Sequence, residues 1–338
     1  MRQIVITKAG GPEVLRIEEK SDPLPGKGEV GIRVRASGIN FADILARRGL
    51  YPDAPRPPCV VGYEVSGIVE SVGEGVDADL VGKAVFALTR FKGYADYVLV
   101  PRSQVFEKPQ GLSFEQAAGL PVNYLTAYLL LVVMGSLKPG ESVLIQNAGG
   151  GVGLAALDIA RHVGATTYGT ASPGKHEFLR DRGLDHPIDY TRGDWVGAVM
   201  ERTAGAGVEL VIDPIGGKSW RKSYKVLRPT GRLGMFGISS AAELRGAGRL
   251  GLVRLLAQTP WYHPFRLMNG NKGVFGVNVG HLWKEGAKVG SWMRAILQGV
   301  DEGWVRPHVD RTFPFDRVGE AHVYIEQRRN RGKVVLVP

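Results

Sequence analysis

Between Val143 and Gly153 the chain reads Val-Leu-Ile-Gln-Asn-Ala-Gly-Gly-Gly-Val-Gly, an apolar run that passes into a glycine-rich turn and then the helix-forming stretch Leu154 to Val163. Strand, turn and helix in this order make a corner that binds the pyrophosphate of a dinucleotide. Ala148 and Gly150 allow a tight turn and a close approach of backbone to phosphate. Gly151 and Val152 open a helix whose N-terminal N–H groups face the phosphates, and Gly153 lets helix pack on strand. A second strand, Thr166 to Thr170, ends about 20 residues on, where an acid normally binds the ribose 2′-hydroxyl of NAD. Here no acid precedes Glu177. Ser172 can donate a hydrogen bond to a 2′-phosphate and Lys175 can neutralise it, so the expected cofactor is NADPH. The alternative for Lys175 is a solvated lysine at a helix start.

The elements around the turn follow from periodicity. Short β-like runs punctuated by Gly and Pro fill the first part of the chain: Val30 to Ala36, Val65 to Val72, Lys83 to Ala87 and Tyr97 to Val100. Strand and helix then alternate, with strands expected at Val143 to Gln146, Thr166 to Thr170, His186 to Asp189, Glu209 to Asp213, Arg232 to Phe236 and Gly273 to Val277. Such alternation builds a parallel sheet. The tail, Thr312 to Phe315 and Gly332 to Val337, returns to strand character and is expected to pair back onto the first module. The division is therefore 1–122, 123–280 and 281–338, an α/β chain with a doubly wound parallel sheet and a β-rich domain.

Composition narrows the function classes. With one cysteine, Cys59, an intrachain disulfide and a multi-cysteine metal site are excluded, and Cys59 is expected to be a small buried apolar side chain. Leu129 to Met134 is too short to span a bilayer and reads as a buried helix. No N-terminal stretch resembles a signal or transit peptide, which makes a cytoplasmic protein the expectation. The net charge of +10 favours anionic partners, but no nucleic-acid-binding motif accompanies it.

Several motifs together resemble the medium-chain dehydrogenase/reductase superfamily: Gly38-Ile39-Asn40-Phe41-Ala42-Asp43, Gly62-Tyr63-Glu64-Val65-Ser66-Gly67, Lys138-Pro139-Gly140 and the glycine turn. Within it the sequence is similar to the quinone oxidoreductase branch. Trp261-Tyr262-His263-Pro264-Phe265, Phe275 to Leu282 and Arg306-Pro307-His308-Val309-Asp310 look closest to the vesicle amine transport protein-like subgroup. The resemblance implies a chaperonin-10-like catalytic domain, a Rossmann domain, and a cleft between them for cofactor and substrate. Zinc-dependent members carry Cys, His and Cys where this chain has Asn40, Tyr63 and Val122, so the resemblance implies a site without zinc. Without a Lewis acid, acceptors that take hydride unaided are favoured, namely quinones and activated alkenes.

The same resemblance supplies site roles. Lys175 and Tyr190 match residues that clamp the 2′-phosphate. Thr126, Phe236, Gly237 and Gly276 fall beside the nicotinamide or adjoining phosphates, although Phe236 and Gly276 also read as buried strand ends. Tyr51 matches an active-site tyrosine and is the first choice of hydrogen-bond or proton donor, with an aromatic loop anchor before Pro52 as the alternative. Asn40 can donate its amide N–H to the substrate oxygen. Asp43 matches a family position but equally suits a turn or cap. From Leu244 to Lys284 no acid occurs, while Arg245, Arg249, Arg254, Arg266, Lys272 and Lys284 are interleaved with Leu250, Trp261, Tyr262 and Phe265. This segment reads either as a lid over the cleft or as a contact with anionic membrane. The expected activity is NADPH-dependent reduction of a quinone or α,β-unsaturated carbonyl. An enoyl-thioester reductase and a non-catalytic lipid- or vesicle-binding protein are the alternatives. Relatives pair their sixth Rossmann strands, which makes a homodimer through Phe275 to Val279 the expectation.

Overall fold

Strand runs near the N-terminus become a hairpin, β1 (Arg2–Ile6) with β2 (Leu15–Glu19), followed by β3 (Glu29–Gly38), β4 (Glu64–Val72), β5 (Ala84–Leu88), β6 (Tyr97–Pro101) and β7 (Val105–Glu107). The computed structural model describes residues 1–243 and 257–338. It divides into two units, Met1–Asn123 with Gly280–Asp301 and Pro307–Pro338, and Tyr124–Val279 with Glu302–Arg306.

In the second unit, parallel strands β8 (Ser142–Ile145), β9 (Thr166–Ala171), β10 (His186–Asp189), β11 (Val208–Asp213), β12 (Leu227–Met235) and β13 (Gly273–Gly276) lie in the order β10-β9-β8-β11-β12-β13. This is the doubly wound arrangement, whose strand order reverses between β8 and β11 and opens a crevice at their carboxyl ends. Val143, Leu144, Ile145, Leu210, Val211 and Ile212 are fully buried, because helices cover both faces of such a sheet and leave no polar side.

In the first unit the tail strands β14 (Val309–Pro314) and β15 (Lys333–Val337) return as expected: β15 pairs with β3 at Val335–Gly38 and Leu336–Ser37. The sheet runs β14-β15-β3-β4-β5-β7, with β6 also on β3. Two apolar clusters sandwich it, one around Ile4, Ile6, Phe313 and Phe315, the other around Ile32, Val65, Val85 and Val98.

Two local expectations fail. Leu129–Val133 is a π-helical turn, closed by Met134 N–H donating to Leu129 O at 2.9 Å. Leu129, Leu130 and Leu131 are buried, but Val133 and Met134 at the end of the turn are exposed. Cys59 is half-buried, not buried: it bridges to Ile6 through its backbone and packs at the margin of the cluster around Ile4 and Ile6. Burial still pushes its thiol pKa up.

Candidate functional site

The glycine turn leaves β8 through Gln146 and Asn147, the latter in the left-handed region at φ 56°. Gly150 is the N-cap of the helix Gly151–Val163, and among the described residues no side chain caps it. The first N–H groups of that helix are thus open to an anion. Ala148 is fully buried, and a methyl group at Gly153 would meet the carbonyl oxygens of Asn147 and Ala148 at 2.5 Å. The helix and the turn that precedes it are in direct backbone contact there, which only glycine permits.

A buried polar network holds the turn from behind. Thr170 Oγ1 donates to Gln146 Oε1 at 2.7 Å and accepts the Asn147 N–H at 3.1 Å. Gln146 Nε2 reaches Ser223 Oγ at 3.4 Å, and Ser223 and Ser219 each donate to Asp213 Oδ2 at 2.7 Å. Burial raises the pKa of Asp213, against these hydrogen bonds, which favour its charged form. Sequence reasoning missed Gln146, Thr170 and Asp213 as supports. The signal was available in their shared position at the carboxyl ends of β8, β9 and β11.

Beyond β9, Ser172 opens the 3₁₀ turn Pro173–Lys175, and Lys175 precedes the helix His176–Asp181. The Lys175 side chain lies over the glycine turn: a methyl group at Gly149 would sit 2.9 Å from its Cδ and 3.7 Å from its Nζ. Half-buried Tyr190 follows β10 and packs on the cluster of Leu144, Tyr168 and Ile188. Phe236 and Gly237 follow β12, the Phe236 N–H donating to Asp213 O at 3.3 Å, while exposed Gly276 ends β13 opposite Met235. Thr126 is buried in the helix Pro121–Tyr128. Apart from Thr126, the cofactor candidates all lie on or just past the carboxyl ends of the parallel strands.

In the first unit, the return of β15 brings Lys333 to Asn40 and Glu64. Lys333 Nζ donates to Asn40 Oδ1 at 2.8 Å and pairs with Glu64 Oε1, which also accepts from Asn40 Nδ2 at 3.0 Å. The other Glu64 oxygen accepts the Val122 N–H at 2.8 Å. Asn40 and Val122, two of the positions that hold zinc ligands in metal-dependent relatives, are thus gathered on one buried carboxylate. Only part of the amide expected to meet substrate is spare: the Asn40 oxygen and one N–H are committed. A lysine 269 residues from its partner gave no local signal.

Asp43 fills the cap role, accepting the N–H groups of Asn40 at 2.8 Å and Gly62 at 3.0 Å. It is fully buried, and loss of solvent lifts its pKa to about 7 despite those bonds. Tyr94 Oη donates to it at 3.2 Å and lies 3.2 Å from His322 Nε2. His322 Nδ1 is buried without a partner among the described residues, and burial, aided by Arg47, drives its pKa down to about 3. Half-buried Tyr51 stands edge-on to Tyr63, ring centroids 6.3 Å apart.

Of the basic stretch from Leu244 to Lys284, residues 244–256, including Arg245, Arg249 and Arg254, lie outside the described residues. In the remainder, Tyr262 donates to Trp220 O at 3.1 Å, and Arg266 and Lys272 lie over the Tyr224 ring. Trp261, Phe265 and Met268 are exposed, Trp261 to 86%. No helix among the described residues is long and apolar enough to cross a membrane.

Residues 26–110 match the alcohol dehydrogenase GroES-like domain and residues 182–336 the zinc-binding dehydrogenase family. The human synaptic vesicle membrane protein VAT-1 homolog is 38% identical over 346 residues, covering 100% of this chain and 86% of that protein. A 2-haloacrylate reductase from a Burkholderia species is 33% identical over 342 residues, covering 99% of this chain and 98% of the enzyme. Among solved structures, Escherichia coli quinone oxidoreductase complexed with NADPH superposes with a TM-score of 0.89 at 28% identity over the whole of both chains. An NAD-dependent alcohol dehydrogenase also superposes, with a TM-score of 0.84 at 29% identity over the whole of both chains. The chain belongs to the medium-chain dehydrogenase/reductase superfamily of oxidoreductases, in the branch that holds quinone oxidoreductases and the VAT-1 homologs.

Proposed function

We propose that this chain is an NADPH-dependent reductase that delivers hydride, without zinc, to a quinone or an α,β-unsaturated carbonyl. The observation that carries the reading is Lys175 lying over an uncapped, glycine-lined helix start, with no acid between the end of β9 and Glu177. An NAD-preferring site would place a carboxylate there, which a 2′-phosphate would repel. The quinone oxidoreductase and haloacrylate reductase relatives support hydride transfer to activated acceptors.

The residues fit the cofactor. The N–H groups at Gly151 and Val152 would hold the pyrophosphate, and Ser172, Lys175 and Tyr190 the 2′-phosphate. Phe236, Gly237 and Gly276 would line the nicotinamide end through backbone. NADPH, when bound, supplies the hydride. The protein's share is to orient the ring, exclude water and stabilise charge on the acceptor oxygen. In the reading proposed here Tyr51 and the spare Asn40 N–H do the last of these. The zinc-free assignment rests on donor chemistry: Asn, Tyr and Val replace thiolate and imidazole, and the Asn40 oxygen already holds the Lys333 ammonium.

The exposed Trp261, Phe265 and Met268 favour a second reading, a chain that docks on anionic membrane. One experiment separates the two: NADPH oxidation over quinones, enones and enoyl thioesters, with and without phosphatidylserine vesicles. Turnover with quinones or enones in free solution supports the reductase. Co-sedimentation with vesicles and no turnover on any acceptor would leave the membrane reading standing alone.

A further inference from the structure

Tyr63 is buried, 8% exposed, in an aromatic corner between Tyr51 and Phe91, whose ring centroid lies 5.1 Å from its own. Its hydroxyl is buried and makes no well-aligned hydrogen bond among the described residues, its contact with Tyr51 being a poorly aligned one. Such a hydroxyl is costly, because its bonds to water are lost and only a poorly aligned contact replaces them. Phenylalanine would fill the same space without that cost. The groups around it are consistent with a donor kept for a ligand. Burial first, then Tyr51 and the carboxylates of Asp43 and Asp53, hold its pKa far above the usual phenol range, so the hydroxyl stays protonated at any working pH.

We propose that the Tyr63 hydroxyl donates a hydrogen bond to the acceptor oxygen of the substrate, beside Tyr51. The inference rests on the reductase reading. With an enone, hydride from NADPH adds to the β-carbon, the C=C π pair moves to give an enolate, and NADP⁺ remains. The enolate oxygen accepts the Tyr63 hydrogen bond, and its α-carbon then takes a proton from water. Tyr63 keeps its own proton throughout, stabilising the oxyanion without titrating.

The test is Tyr63→Phe in the full chain, read by kcat/KM with a quinone and an enone, by Tm, and by fluorescence titration of NADPH. Expected are a loss of about 100-fold in kcat/KM, carried mainly by kcat, with unchanged NADPH affinity and a Tm equal to or above wild type. Unchanged kcat/KM would overturn the assignment, and so would a lowered Tm, which would reveal a structural partner for the hydroxyl. Wild-type protein inert towards every acceptor would defeat the reductase reading itself, and this assignment with it.

Discussion

Replacing Lys333 by Met is expected to lower the unfolding free energy by about 3–5 kcal/mol, because it strands a buried carboxylate. Glu64 is fully buried, and Lys333 supplies the positive charge that pairs with it. The Met side chain matches the aliphatic length but leaves Glu64 only the N–H groups of Asn40 and Val122. If the uncompensated charge is the cause, Lys333→Met combined with Glu64→Gln recovers more than half of the loss, measured by urea unfolding of both variants. Additive losses in the double variant would contradict it. Activity should fall in Lys333→Met as well, since the ammonium fixes which end of the Asn40 amide is held and which N–H is spare.

The buried chain His322–Tyr94–Asp43 should impose two opposed pH dependences on stability. Asp43 rises from 3.8 to about 7 in the folded protein, so its contribution is complete below 3.8 and is lost as pH climbs through 7. His322 falls from 6.5 to about 3, so its contribution is complete above 6.5 and is lost as pH drops towards 3. Near pH 5 the folded chain holds its proton on Asp43 and the unfolded chain on His322, and the two slopes cancel. Removing one group exposes the other. The stability difference between wild type and His322→Gln should shrink by about 1.4 kcal/mol per unit as pH falls from 6.5, whereas that for Asp43→Asn should shrink as pH rises above 4. Lost packing adds a constant offset and leaves these slopes intact. Parallel stability curves for the three proteins would contradict the buried, singly protonated arrangement.

What could be read in advance was local. The glycine turn, the strand-helix alternation and the missing acid after β9 are short-range patterns, and each depends on residues within one βα unit. The return of the tail to the first module was also legible from its strand character, though not the strand it joins, which is β3. The Glu64–Lys333 pair and the Asp43–Tyr94–His322 chain were not, because their members meet only after β15 and the helix Val318–Glu326 return to the first unit. Tyr63 was legible only as the absence of a zinc ligand. Its poorly bonded hydroxyl is a property of packing, which no spacing reveals. The exposed end of the Leu129–Val133 turn shows the same limit, since an apolar run alone cannot distinguish an α-helix from a π-helical exit.

The most direct test of NADPH-dependent reduction is kcat/KM for NADPH and NADH, with one active quinone or enone, in wild type and Lys175→Ala. Expected is a clear preference for NADPH in wild type. Lys175→Ala should lower NADPH efficiency about 10- to 100-fold, as loss of one charge-assisted phosphate contact does, while NADH efficiency changes little. Equal use of both cofactors by wild type, or a preference for NADPH untouched by the substitution, would contradict the assignment of Lys175 and the site built around it.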